Sequence, residues 1–171
     1  MAEESSSSSD EIAVIKVTNF GEIRLRFLPE LAPLHVENFK KLARDGFYDG
    51  TAFHRIVPGF VIQGGDSNSK DDDPSNDGRG GPGYTVKAEF SDVPHERGIL
   101  SMARSSDPDS AGSQFFILVK KAPFLDGKYS VFGEVTSGME VVDKIVDQPR
   151  GRGDRPKTKI VMESVRIEPG S

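Results

Sequence analysis

Histidine is sparse in this chain and cysteine is absent, so two residue types that often act as bases, nucleophiles or metal ligands are few. His35, His54 and His95 show no short metal-ligand spacing. The chain has no cysteine, which excludes a disulfide framework, a thiolate nucleophile, cysteine-ligated zinc and an iron–sulfur cluster. It also lacks the Gly-x-Ser-x-Gly motif of serine hydrolases. Metal and serine-nucleophile chemistry are therefore poorly supported, and we expect neither a metal nor a cofactor.

Two strings within residues 73–84 imitate ligand-binding loops. Residues 78–83 match Gly-x-Gly-x-x-Gly, but no predicted strand precedes them and no predicted helix follows, as a phosphate cradle requires. Asp73 and Asp77 resemble the opening of a calcium loop, yet Tyr84 stands where a bidentate glutamate is needed. We interpret this stretch as a polar surface loop.

The charge balance argues against a nucleic-acid or membrane partner. The chain has 22 Lys and Arg against 27 Asp and Glu, a net charge of -5. A basic cluster within residues 150–157 is interpreted as a solvated loop, and its Arg152-Gly153-Asp154 as a turn. The longest apolar run, Phe115 to Val119, is far shorter than the roughly 20 residues of a transmembrane helix.

The length fits one domain preceded by a short tail. With 171 residues the chain is close to the usual size of roughly 150 residues per domain. Residues 1–10 are Ser-rich and acidic, and we expect them to be disordered, ahead of a single domain over 11–169. They lack the basic and apolar regions of a secretory signal, which predicts a cytoplasmic location. We expect a monomer.

The elements that must position any site are short and mostly strands. Ile12 to Val17 and Ile23 to Phe27 flank a turn and predict a hairpin. Ala52 to Gly65 is strand-like but interrupted by Pro58-Gly59, which suggests a bulge or a change of strand. Further strand candidates cover residues 84–87, 98–102, 114–119, 131–135 and 160–167.

Two amphipathic helices complete the pattern. Val36, Phe39 and Leu42 recur at helical spacing, and Met139, Val142 and Ile145 do so near the other end of the chain. About eight strands with two scattered helices favour an antiparallel barrel or sandwich capped by helices over a parallel α/β sheet.

The segment FHRIVPGFVIQGGD, residues 53–66, closely resembles the signature of the cyclophilins, which are peptidyl-prolyl cis-trans isomerases. Three further blocks agree with it in order and spacing: GILSMA at 98–103, GSQFFI at 112–117 and FLDGKYSVFGEV at 124–135. The resemblance covers the chain from about Ile12 to Pro169. It implies a mainly β fold, a closed eight-stranded antiparallel barrel capped by two helices, with an outer groove that receives an Xaa-Pro segment.

The resemblance implies that Arg55 is the catalytic residue. Rotation about a peptide bond faces a barrier of about 18–20 kcal/mol, because it destroys amide resonance. In the twisted state the proline nitrogen regains a lone pair, and a fixed guanidinium donor aimed at it stabilises that state more than either planar form. This chemistry needs no nucleophile, metal or proton transfer.

The resemblance also implies a set of substrate-binding residues. Phe60, Val61, Phe116 and Leu125 would line the proline pocket, and Gln63, helped by Gln114, would orient the substrate carbonyl. Ala103 and the backbone of Arg104 would pair with the peptide chain, while Phe124 and Tyr129 would complete the rim.

Four site positions differ from the usual family pattern: Val61 replaces Met, Arg104 replaces Asn, Phe124 replaces Trp and Tyr129 replaces His. Phe124 lacks an indole N–H, so we expect weakened binding of a cyclosporin-type macrocycle. Arg104 adds a charge at the peptide edge and suggests a preference for acidic residues near the proline.

Three functional interpretations remain at this level. The leading one is a cofactor-free isomerase that acts on Xaa-Pro bonds in unfolded or flexible chains and assists protein folding. The second is a proline-peptide binding module, chaperone or scaffold with incidental turnover. The third, an unrelated barrel-type binding domain, requires all four motif blocks to be coincidental.

Overall fold

One antiparallel sheet and two helices make up the computed structural model, which describes residues 11–70 and 81–170. The strands are β1 (Glu11–Val17), β2 (Gly21–Phe27), β3 (Arg55–Val57), β4 (Val61–Gly64), β5 (Ile99–Met102), β6 (Phe115–Leu118), β7 (Val131–Ser137) and β8 (Met162–Pro169). The helices are α1 (Pro33–Arg44) and α2 (Met139–Val146). The predicted tail and the calcium-like string lie outside the described residues, as do the first three residues of the glycine string.

The sheet is curled but is not a fully closed barrel. Its order is β3-β4-β6-β5-β7-β2-β1-β8, and the two edge strands do not pair with each other as strands. Instead, the segment before β3 joins the start of β8 through three backbone hydrogen bonds, one of which runs from Phe53 N–H to the Ile160 carbonyl at 2.9 Å. The prediction of a closed barrel was too strong, because three-residue β3 is too short to run along eight-residue β8.

The first predicted hairpin is confirmed. Strands β1 and β2 pair antiparallel, with Ile15 opposite Ile23. The turn between them places Asn19 and Gly21 at positive φ, 71° and 124°. Such a turn lets the alternating apolar side chains of both strands enter one core.

Residues 52–65 supply two strands. The Pro58-Gly59 break is a tight turn that reverses the chain between β3 and β4, and Gly59 has φ of 76°. The Phe60 N–H donates to the Val57 carbonyl across this turn at 2.9 Å. The break in the pattern was therefore a change of strand.

The strand predicted over 84–87 is wrong. This segment forms a single bridge, between Val86 and Ala111. Beyond it, the Ala88 N–H donates to the Asp109 carboxylate and the Glu89 N–H to the Ser130 hydroxyl, both at 2.9 Å. Side chains, and not the carbonyls of a neighbouring strand, thus accept the hydrogen bonds from these two backbone N–H groups.

Both helices lie where the apolar spacing predicts them. Helix α1 begins at Pro33, and its first free N–H groups are capped by a distant carboxylate, that of Glu89. The Leu34 and His35 N–H groups donate to it at 3.2 and 2.9 Å. Gly46 follows the helix with φ of 76°. Within the described residues, no helix combines the length and apolar character needed to cross a bilayer.

The strands carry a buried apolar layer on each face. The core cluster fills the inside of the curled sheet and contains Phe115 and Ile117 of β6. The alternate residues of β6 belong to a second cluster on the outer face. We call it the outer cluster; its buried members are Leu28, Val61, Ile99, Phe116, Leu118, Ala122, Leu125 and Val131. The same strand thus contributes side chains to the core on one face and to the outer cluster on the other.

Candidate active site

A row of side chains crosses three neighbouring strands on the outer face. Arg55 of β3 stands opposite Gln63 of β4, and Gln63 stands opposite Phe116 of β6. Cross-strand partners project from the same face and lie side by side. Strand register therefore brings a cation, an amide and an aromatic ring together from residues far apart in the sequence.

Hydrogen bonds hold the polar part of this row. Arg55 Nη1 donates to Gln63 Oε1 at 3.2 Å, and Gln63 Nε2 donates to Gln114 Oε1 at 3.2 Å. The Arg55 guanidinium carbon also lies 5.9 Å from the centroid of the Phe60 ring. The chain of contacts fixes which end of the Gln63 amide faces each neighbour, and it gives the guanidinium one direction.

An apolar pocket adjoins the guanidinium. Val61, Phe116 and Leu125 are all buried in the outer cluster and form its floor. Phe60 and Phe124 pack against each other at the rim, with ring centroids 5.5 Å apart. Phe124 is 64% exposed, so it forms an outer wall rather than part of the core.

The structure brings all the sequence-predicted site residues to one surface. A groove of 380 Å³, called the groove below, is lined by Arg55, Phe60, Val61, Gln63, Ala103, Arg104, Phe116, Phe124, Leu125, Lys128 and Tyr129. Gln114 lies next to it, in an adjoining cavity of 640 Å³ that shares Gln63, Ala103 and Arg104 with the groove. The catalytic or binding role of each residue stays a prediction.

Arg104 is more firmly held than a free surface charge. Its Nε donates to the Lys128 carbonyl and its Nη1 to the Ser105 carbonyl, both at 2.9 Å. Its guanidinium carbon lies 4.7 Å from the centroid of the Tyr129 ring. Tyr129 in turn meets the Phe116 ring edge-on, at 5.6 Å. Arg104 and Tyr129, two departures from the family pattern, are thus direct neighbours.

The backbone of Ala103 is already partly engaged. Its N–H donates to the Gln114 carbonyl at 3.0 Å. The peptide pairing implied by the family resemblance therefore requires the Ala103 carbonyl.

A buried polar group behind Phe116 was missed by sequence reasoning. His95 Nε2 lies 3.0 Å from Ser101 Oγ, and His95 Nδ1 lies 3.2 Å from Asp126 Oδ1. The imidazole is stacked on the Phe116 ring at 6.3 Å. Full burial of the Ser101 side chain excludes it as a nucleophile for an external substrate, so this group supports the pocket floor. Ser101 within the apolar strand β5 was the available signal.

Lys128 was also missed. It lines the groove and lies within the FLDGKYSVFGEV block, but an exposed lysine carries no sequence signal that separates it from solvated ones.

The histidines provide a prediction about pH. Burial lowers the pKa of His35, His54 and His95, although the Asp126 carboxylate opposes the effect at His95. The unfolded chain therefore binds more protons once the pH falls below about 6.5, and the free energy of unfolding should decrease there. Each histidine contributes up to about 1.4 kcal/mol per pH unit until its folded form also protonates.

NMR titration of the imidazole resonances in the folded protein checks this pH prediction. We expect the titration midpoint of each of the three rings to lie below that of a histidine-containing control peptide. Midpoints above that of the peptide would contradict the prediction. Urea unfolding across the same range measures the free energy of unfolding. We expect it to stay the same near and above neutral pH and to decrease on acidification.

The comparisons with known proteins agree with this geometry. The family described as "Cyclophilin type peptidyl-prolyl cis-trans isomerase/CLD" matches residues 12–167. A probable peptidyl-prolyl cis-trans isomerase of Brucella abortus is 48% identical over 145 residues, covering 82% of this chain and 74% of that protein. Peptidyl-prolyl cis-trans isomerase B of Bacillus subtilis is 46% identical over 149 residues, covering 86% and 91%.

Solved structures give the same answer for the fold. A cyclophilin-type isomerase of Cryptosporidium parvum, crystallised in the presence of the dipeptide Ala-Pro, has a TM-score of 0.82 and 32% identity. The match covers 92% of this chain and 98% of that one. The structure thus has a curled β-sheet with a groove on its outer face. The chain belongs to the cyclophilin-type peptidyl-prolyl cis-trans isomerase family.

Proposed function

We propose that this isomerase accelerates rotation about Xaa-Pro bonds in flexible or unfolded polypeptides, with Arg55 as the donor that stabilises the twisted bond. The observation that carries the proposal is the position of the Arg55 guanidinium. It is hydrogen-bonded to Gln63 and lies beside the apolar floor of the groove, on the same sheet face. The Ala-Pro dipeptide used with the Cryptosporidium relative supports the same substrate class.

The apolar pocket and the guanidinium divide the work. Packing of the proline ring against Val61, Phe116 and Leu125 holds one side of the rotating bond in place. Burial stabilises the complex by about 25 cal/mol per Å² of apolar surface. Arg55 then donates toward the proline nitrogen as it becomes pyramidal. Because its guanidinium stays charged and its N–H groups are rigidly arranged, little reorganisation is needed when the bond twists.

The amides next to Arg55 position the rest of the substrate. Gln63 is held between Arg55 and Gln114, so it presents a defined hydrogen-bonding group to the carbonyl that rotates. The Ala103 carbonyl and the Arg104 backbone pair with the peptide on the other side of the pocket. Fixed geometry of this kind places the bond for rotation before the barrier is climbed.

Exchange spectroscopy on an Ala-Pro peptide tests the proposal. Acceleration of cis–trans exchange by the protein supports it, and peptide binding without acceleration favours a proline-peptide binding module instead. A chaperone role, a cytoplasmic location and a monomeric state stay predictions from the sequence.

Phe124 provides a test of inhibitor binding. We expect Phe124→Trp to strengthen inhibition by cyclosporin by about 5- to 150-fold, because an indole N–H adds a donor of about 1–3 kcal/mol at the rim. Phe124→Leu, which keeps an apolar side chain and adds no donor, is the control. Inhibition constants measured for the wild type and both variants decide the matter, and equal potency in all three would show that the rim donor is irrelevant.

A further inference from the structure

The groove is positively charged although the protein as a whole is acidic. Three of its lining residues are cations, namely Arg55, Arg104 and Lys128, and no aspartate or glutamate is among the described residues that line it. The chain as a whole has a net charge of -5. A local field opposite in sign to the net charge attracts anionic groups to the groove specifically.

No described carboxylate neutralises these cations. Arg55 donates to the neutral Gln63 amide, and Arg104 donates to backbone carbonyls. Asp126 is the acidic residue nearest to Lys128 in sequence, but its Oδ1 accepts the His95 N–H at 2.7 Å and faces the His95 ring. The positive charge of the groove is thus available to a bound chain.

Arg104 is the cation best placed to read a substrate side chain. Its Nε and Nη1 are bonded to carbonyls, and Tyr129 lies under the guanidinium plane, so the direction of the fork is fixed. No hydrogen bond from its Nη2 is formed within the part of the chain that the structure describes. A fixed guanidinium with a free N–H edge is suited to a carboxylate.

The adjoining cavity gives such a carboxylate room. Arg104 lines both this cavity and the groove, and it is the one charged residue among the described residues that line the cavity. The remaining wall combines apolar groups, such as Pro82, with the hydroxyls of Thr85, Ser105 and Ser110. A side chain that leaves the peptide beside the proline pocket therefore meets a cation and hydroxyl groups, and no described anion.

We propose that this enzyme selects Xaa-Pro segments that carry an aspartate or glutamate within two residues of the proline, read by Arg104 with support from Lys128. The selectivity rests on the proposed function, since it concerns which bonds the same site isomerises. It deepens that function by naming the substrate class.

A peptide series tests the charge preference. Ala-Pro peptides carry Glu, Gln or Lys two residues before the proline, and a second set carries them two residues after it. At an ionic strength of about 0.01 M we expect Glu to exceed Gln about three- to fivefold in kcat/KM on one side of the proline, and Lys to fall below Gln. The Glu advantage should largely disappear at about 1 M salt, where charges are screened.

Variants assign the preference to a residue. In Arg104→Gln the ratio of Glu to Gln kcat/KM should fall most of the way to one, with the remainder due to Lys128, whereas Arg104→Lys should keep a larger part of it. Lys144→Gln on the exposed side of α2 makes the same change in net charge away from the groove, and it should leave the ratio at the wild-type value. Unfolding midpoints confirm that the compared variants are folded.

Four results would overturn the inference. Equal wild-type rates for Glu, Gln and Lys peptides would exclude charge selectivity while leaving the isomerase function intact. A Glu preference that survives Arg104→Gln undiminished would exclude Arg104 as its source, and one that Lys144→Gln abolishes would assign it to the net charge. Failure to accelerate even the Gln peptides would reject the proposed function and the selectivity together.

Discussion

Replacing Arg55 with alanine is expected to lower kcat/KM for an Ala-Pro peptide by a few hundredfold. A single preorganised donor of this kind contributes about 3–4 kcal/mol to the transition state. The donor acts on a nitrogen lone pair that exists only while the bond is twisted, so the loss should fall on turnover rather than on binding. Gln63 would also lose the partner of its Oε1, which adds to the effect.

NMR exchange spectroscopy measures this effect directly. Cis–trans exchange rates are compared without protein, with wild type and with Arg55→Ala, while chemical-shift changes report peptide affinity. Arg55→Lys keeps the charge but loses the guanidinium fork, and we expect it to recover only a minor part of the activity. Arg166→Ala removes an exposed arginine from β8, at the opposite edge of the sheet, and should leave exchange at the wild-type rate.

The competing outcome is equally clear. If both wild type and Arg55→Ala bind the peptide but neither accelerates exchange, the groove is a proline-peptide binding module. Phe60 and Phe116 would then be its anchors, and Arg55 a charge at the rim. The isomerase proposal does not survive that result.

Local sequence patterns predicted much of the fold because short-range physics decides those parts. The β1–β2 hairpin and both helices follow from apolar spacing and from turn residues such as Asn19 and Gly21. The alternation of Phe115 and Phe116 follows from the two-residue period of a strand, once β6 is buried on both faces. The motif blocks predicted which residues lie together along the groove, because the cross-strand register places these blocks side by side.

Contacts between distant side chains and backbone groups could not be predicted in this way. The segment predicted as a strand over 84–87 forms a single bridge, and the N–H groups that follow it, of residues 88 and 89, donate to the side chains of Asp109 and Ser130. The position of the Arg104 guanidinium could not be predicted for a similar reason, since the Lys128 carbonyl that holds it is supplied by a different loop. Such partners depend on how loops fold over the sheet, and the spacing of apolar residues along the sequence does not predict this.

Among the substitutions considered, replacement of Phe39 in the core is expected to lower the stability most. Phe39 lies on α1, and its buried ring contacts four aromatic rings. These are the rings of Phe27, Tyr48, Phe115 and Phe132, at centroid distances of 5.7, 4.9, 5.5 and 5.4 Å. We expect Phe39→Ala to reduce the free energy of unfolding by about 3–5 kcal/mol, because it removes these contacts and leaves a cavity between α1 and the sheet.

Urea unfolding of the wild type, Phe39→Ala and Phe124→Ala measures the effect. Phe124 is 64% exposed, so its replacement should change the free energy of unfolding by only about 0.5 kcal/mol. Since Phe115 packs on Phe39 and precedes Phe116 on β6, the core variant should also loosen the proline pocket. A Phe39→Ala loss no larger than that of Phe124→Ala would show that the helix does not brace the strands that carry the site.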